Sequence, residues 1–267
     1  MSLPLFISNI KNNRMIWIIM LVVYSFYFSI MISMYDPEGL EAWENMLGMM
    51  PDGFLQVIGW DMMGTSLIAV LGTSLYGFLI YLFPLVVSIV VNHRLIASHV
   101  DKGSMAYLLS TPNSRITIAV TQAVFSLASI TLFFTMITGV GIAFSEMMFP
   151  GHLDIGTFVL LNVYAIVQYF ALGGIGFVAS SIAHEAKHSL ALGIGLPIGF
   201  LVLEMLGNSS PDLNWIGNLS LYALFDPQRL IDGNTSFVAL SMAALFVIAA
   251  LLYGMGIFWF NRRDLHL

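Results

Sequence analysis

The chain is 267 residues long, 58% hydrophobic and only 9% charged, with a formal net charge of −6 and a mean hydropathy of +0.89. A water-soluble domain carries about 25% charged residues, so 9 bases and 15 acids would leave wide apolar patches facing water. That excludes an ordinary cytosolic enzyme, a disordered protein and, for want of a basic face, a nucleic-acid binder; the chain reads as an all-α, polytopic membrane protein.

A spanning helix needs about 20 mainly apolar residues, and the length accommodates six of them in one transmembrane domain, residues 1–267. The first predicted span is Met15–Met34, preceded by Lys11 and Arg14. The interval Tyr35–Asp61 then holds Asp36, Glu38, Glu41, Glu44, Asp52 and Asp61 with no base. Leu40, Trp43, Met46 and Leu47 recur there at helical spacing, the pattern of a short amphipathic helix at the interface. The second span, Met63–Val91, contains Pro84, which predicts a kink. An amphipathic polar stretch, residues 92–115, follows and is broken by Pro112.

The third span is Ile116–Phe144, and the fourth, Ile155–Ala183, is rich in small residues: Gly173, Gly174, Gly176, Ala179, Ser180 and Ser181. A polar link, His184–His188, leads to the fifth, Ser189–Leu206. Pro197 interrupts that span, and Gly195 and Gly199 give it a spacing that permits close helix approach. After a loop at residues 207–236, Phe237–Phe260 forms the sixth.

Charge placement orients these spans. Six crossings put both termini and the second and fourth loops on one side, with eight of the nine basic residues; the other side holds Arg229 and eleven of the fifteen acids. Lysine and arginine accumulate on the cytoplasmic face, so the expectation is a multi-pass protein of the cell membrane with cytoplasmic N- and C-termini and an extracytoplasmic loop at 207–236.

Several motifs bear on chemistry. No G-x-x-x-x-G-K-[ST] occurs, so the chain supplies no P-loop. With no cysteine, it has no thiol nucleophile. His184-Glu185-Ala186-Lys187-His188 fits H-E-x-x-H, which on a helix places two zinc ligands, His184 and His188, beside a general base, Glu185. A catalytic zinc takes a third ligand, and no convincing one accompanies the motif. The metalloprotease reading is therefore the lesser alternative to a polar loop.

Glu204 lies near the outer end of span five, where an acid reaches water or meets a cation. Gln122, Asn162 and Gln168 are expected to hydrogen-bond between helices. Trp17, Trp43, Trp60, Trp215 and Trp259 are placed as an interfacial belt. The 17 Met and 20 Phe suit an amphiphilic cargo and equally make up lipid-facing surface and core.

The run Asp101-Lys102-Gly103-Ser104-Met105-Ala106-Tyr107-Leu108-Leu109-Ser110-Thr111-Pro112-Asn113-Ser114-Arg115 resembles a segment of ABC-2-type transporter permeases. In that family an acid, a Gly-Thr pair, a Leu-Leu pair, a proline and an arginine precede the third span. The exit Phe260-Asn261-Arg262-Arg263-Asp264-Leu265 is similar to that family's end of its last span. Asp101 and Ser104 stand where glutamate and threonine are commoner.

The resemblance implies a non-enzymatic permease subunit, usually of an exporter. It implies a homodimer or a heterodimer with a similar chain, and pairing with two cytosolic ABC ATPase subunits. No cofactor is bound by the permease itself, since ATP and Mg sit on the partner. The resemblance also makes the helix around Lys102–Leu109 a coupling element, with Asp101, Lys102, Gly103, Ser104, Tyr107, Leu108, Leu109, Pro112 and Arg115 as its contact set. His184, Glu185, Lys187 and His188 form a second cytoplasmic contact in that reading, and residues 1–14 form an interface helix along the cytoplasmic surface. A scaffold or sensor subunit that transports nothing is the remaining alternative.

Overall fold

The computed structural model describes residues 1–33, 35, 49, 66–77, 79–183 and 185–263. In chain order the described helices are α1 (Leu3–Ser33), α2 (Leu67–Ser74), a 3-10 turn at Leu79–Tyr81, α3 (Phe83–Leu95), α4 (Ala97–Asp101) and α5 (Met105–Leu109). The long helices α6 (Arg115–Met148), α7 (Ile155–Ile182) and α8 (Ala186–Ser209) follow. Short 3-10 turns at Pro211–Leu213 and Tyr222–Leu224 flank α9 (Asn214–Gly217), and α10 (Pro227–Ile231) and α11 (Thr235–Arg262) complete the order. Among the described residues, α1, α6, α7, α8 and α11 are long and apolar enough to cross a bilayer.

Local chemistry sets where the helices begin. Ser114 is extended and its Oγ accepts the Thr117 N–H; Asp154 does the same for Thr157 and Asn234 for Phe237. Each side chain satisfies one of the donors that a helix start leaves without a partner.

The bundle is organised around α7. Two thirds of its most apolar window is buried (67%), against 22% for α8 and α11. Its small residues explain the closeness of the packing: a Cβ on Gly174 would lie 2.8 Å from the Leu252 Cβ on α11. In return, a Cβ on Gly256 of α11 would lie 2.6 Å from the Phe177 ring. Gly195 and Gly199 of α8 meet nothing within 4 Å, so that spacing packs against no helix of this chain among the described residues.

The second predicted span differs most from expectation. In place of one kinked helix there are two short ones, of 8 and 13 residues, separated by turn and 3-10 backbone. Pro84 stands in the first turn of α3, where its missing N–H costs nothing, and so starts a helix instead of bending one. The break is held from α7. The Tyr169 hydroxyl reaches the carbonyl oxygens of Ile80 (2.7 Å) and Tyr81 (2.8 Å). Non-helical backbone at membrane depth persists only where such partners exist.

Other expectations are revised by packing. Residues 1–14 and the first span are one helix, α1, unbroken from Leu3 to Ser33, so the N-terminal segment continues the span's axis. Trp17 is buried, and its indole N–H donates to the Ser129 hydroxyl at 2.8 Å; Trp215 and Trp259 are exposed as a belt residue would be, and Trp43 and Trp60 lie outside the described residues. Pro197 sits inside α8, which runs on past it. Gln122 bonds between helices, to Asn9 and to the Leu95 carbonyl, whereas Asn162 donates to its own helix at Phe158. Gln168 has no partner among the described residues. The interval around Leu40, Trp43, Met46 and Leu47 lies outside the described residues.

Candidate functional site

One end of the bundle, called proximal below, gathers the N-terminus of α1, the C-terminus of α3, α4 and α5, the starts of α6 and α8, and the ends of α7 and α11. The helix expected around Lys102–Leu109 is shorter than that, Met105–Leu109, and a second short helix precedes it. Lys102 closes α4, Gly103 adopts φ 68°, and α5 starts at Met105. A left-handed residue between two helical turns favours glycine, so Gly103 is what divides the segment. Met105 is fully buried and anchors it, while Leu108 and Leu109 pack against the core from its edge. Asp101, Lys102, Gly103, Tyr107 and Pro112 are exposed, Ser104 and Arg115 partly so.

The end of α3 and the α4–α5 platform that follows it are tied to their neighbours by named bonds. The Arg94 guanidinium donates to the Asn12 carbonyl on α1 at 3.1 Å. Gln122 of α6 donates to the Leu95 carbonyl at 2.8 Å, and the Ala97 N–H donates to Ser180 Oγ of α7 at 2.9 Å. The Asp101 carboxylate accepts the Ala186 N–H at 3.1 Å, satisfying a free donor at the start of α8. The structure thus joins the predicted coupling segment to the predicted second contact. Close by, His99 Nδ1 lies 2.9 Å from Ser104 Oγ. Burial holds the His99 imidazole below its ordinary pKa, and the Lys102 ammonium adds to that. Arg115 donates to the Arg263 carbonyl at 2.8 Å, which brings in α11.

The described part of the H-E-x-x-H segment, Glu185–His188, is helical only from Ala186. Glu185 is extended, so the i, i+4 face that a zinc pair needs does not form across the motif. The Glu185 carboxylate pairs with Lys187 at 2.7 Å, a hydrogen bond and charge that hold its pKa below the usual carboxylate range. His184 lies outside the described residues. Among the described residues no three metal-binding side chains converge.

At the opposite, distal end a chamber of about 640 Å³ opens beside the broken second span. Gly72, Thr73 and Tyr81 form one wall, Glu204 and Asn208 of α8 another, and Asp226, Arg229 and Asp232 of the α10 region a third. Arg229 pairs with Asp226 at 2.9 Å and its guanidinium sits 4.0 Å over the Phe237 ring. Oε2 of Glu204 is buried with no hydrogen-bond partner among the described residues. Glu204 is therefore a wall of a cavity and not an acid free in the interface.

The segment Asp101–Arg115 stood out in the sequence as a polar, Pro- and Gly-bearing stretch. Of the residues that hold this end, Gln122 was expected to bond between helices and Ser180 stood out only as small, while Asn12 acts through its backbone carbonyl; Tyr169, which holds the break, carries no mark in the sequence. The chain matches the family described as ABC-2 family transporter protein over residues 6–265. No curated protein and no solved structure matches. With nearly the whole chain matched, and with its apolar helices, the protein belongs to the ABC-2 family of transporter permeases.

Proposed function

We propose that this chain is the membrane subunit of an ATP-driven exporter, and that α4 and α5 are the surface on which a cytosolic ABC ATPase docks. The proximal end is then cytoplasmic, in keeping with its lysines and arginines, and ATP and Mg sit on the partner. The observation that carries this reading is a set of bonds at one exposed corner: α4 is tied to α7 and α8, and the end of α3 that leads into it is tied to α1 and α6. A push on Lys102 passes through α4 to α7 and α8 and, through the adjoining end of α3, to α1 and α6, which is what a packed, two-state bundle needs in order to switch.

Two copies of the permease and two ATPases make the working unit in this reading. The face of α8 that bears Gly195 and Gly199 is open and suits the contact between copies. The distal chamber serves as the outer vestibule of the path. A zinc protease finds no support in the extended backbone at Glu185.

Lys102 is exposed and makes no ion pair among the described residues, so its charge is free for a partner. Purification of the chain in mild detergent with mass spectrometry of what accompanies it tests the proposal. An ABC ATPase is expected with the unaltered chain, and its recovery drops several-fold for Lys102→Glu at equal permease yield. Full ATPase recovery with Lys102→Glu and with Tyr107→Ala overturns the docking assignment.

A further inference from the structure

A second pocket, of about 480 Å³, lies on the membrane-facing side of the proximal end, between the last turns of α7 and α11. Its walls are Val178, Ile182, Met255 and Trp259, and its rim is Arg262 and Arg263. From this juxtaposition of an apolar groove and two guanidinium groups, we propose that the pocket is a binding site for an anionic phospholipid. The phosphate rests on Arg262 and Arg263, and an acyl chain lies against Ile182, Met255 and Trp259.

Charge argues for this occupant. Neither arginine has a carboxylate partner among the described residues. Arg263 is held in place: one amino group donates to the Ser181 carbonyl at 2.9 Å, and its own carbonyl accepts from Arg115. The Nε of Arg263 is left buried and without a partner, a fixed donor that a phosphate oxygen satisfies. Arg262 lies 4.3 Å over the Phe258 ring, which keeps it at the rim through a cation–π contact. Basic pockets between helices at this depth suit anionic headgroups.

The apolar walls face the same way as lipid. Ile182, Met255 and Trp259 are 37%, 47% and 52% exposed, and Trp259 is at the depth where indoles settle among headgroups. A second copy of the chain fits poorly. The described proximal acids are Asp101 and Glu185, and both are engaged, with Ala186 and with Lys187. The site stands apart from the docking reading, since nothing in it requires an ATPase.

Tryptophan quenching by brominated lipid reads it directly. The chain is reconstituted in phosphatidylcholine vesicles that carry brominated phosphatidylglycerol or, separately, brominated phosphatidylcholine at equal mole fraction. The Trp259 signal is taken as the difference from Trp259→Phe. The expected result is a preference of about tenfold for the anionic lipid, lost in Arg262→Gln/Arg263→Gln and reduced in Arg262→Gln alone.

Arg262→Gln leaves the Ser181 and Arg115 bonds in place, so a folding defect in the double variant does not decide the matter. No preference in the unaltered chain, or an unchanged preference in Arg262→Gln, overturns the proposal. Symmetric vesicles present the same lipid to both ends, so failure here is distinct from failure of the cytoplasmic assignment.

Discussion

At the proximal end the ties run between residues far apart in the chain: Arg94 to Asn12, Ala97 to Ser180, Ala186 to Asp101. At the distal end they are mostly local. Asp154 caps Thr157, Asp226 caps Arg229, and Asn234 caps Phe237, each three residues ahead. The main exception there is the Tyr164 hydroxyl, which donates to the Leu224 carbonyl and accepts from the Asp226 N–H. A network that links distant segments moves them together, while local caps let each short element shift alone. The difference suits one end to receiving force and the other to opening a chamber.

The sharpest way to break that contrast is to ask which end faces which compartment. The chain has no cysteine, so Lys102→Cys and Asp212→Cys each carry one reporter. On intact cells a membrane-impermeant maleimide is expected to label Asp212→Cys fully and Lys102→Cys not at all. Labelling of Lys102→Cys from outside reverses the two ends and removes the docking proposal with them.

Between the two ends lies the break in the second span. Tyr169→Phe leaves two carbonyls without their donor, a loss of about 1–3 kcal/mol for such groups. The expected result is a clear fall in the unfolding midpoint in detergent. Tyr107→Phe, on a side chain 79% exposed, serves as the control that stays at the unaltered value. Equal stability of the two variants means that the break is held by something other than Tyr169.

The smallest effect belongs to a local cap. Asp154→Ala is expected to cost about 1 kcal/mol, measured by the same unfolding. The Thr157 hydrogen bonds hold the Asp154 carboxyl below its ordinary pKa. Its contribution is present above the unfolded-state pKa and is lost as pH falls through the lower, folded value. The gap between Asp154→Ala and the unaltered chain therefore closes on acidification; a gap that persists below that value assigns the loss to packing.

Much of this architecture was legible from residue patterns. Long apolar runs gave α1, α6, α7, α8 and α11 to within a few residues at most ends, because nothing but a spanning helix suits about 20 apolar residues in succession. The interruption of the second span was not legible. Pro84 was in view, but a gap at that depth requires a donor, and Tyr169 is nearly ninety residues away.

The polar stretch Asp101–Arg115 was conspicuous in the sequence, yet its division at Gly103 depends on one backbone angle. The role of Asp101 as the partner of Ala186 depends on tertiary proximity, which periodicity does not encode. The H-E-x-x-H spelling, the lesser alternative from the start, belongs to a helix by its chemistry, and α8 begins only at Ala186, after Glu185.

The bond from Tyr169 to Ile80 and Tyr81 also has a bearing on biogenesis. A ribosome makes residue 80 well before residue 169, so the nascent second span enters the bilayer without the hydroxyl that later accommodates its gap. Chains truncated ahead of Tyr169 have no such donor for those two carbonyls, and an uninterrupted helix is the form in which lipid tolerates them. The interruption is thus tied to assembly, since its donor arrives only with α7.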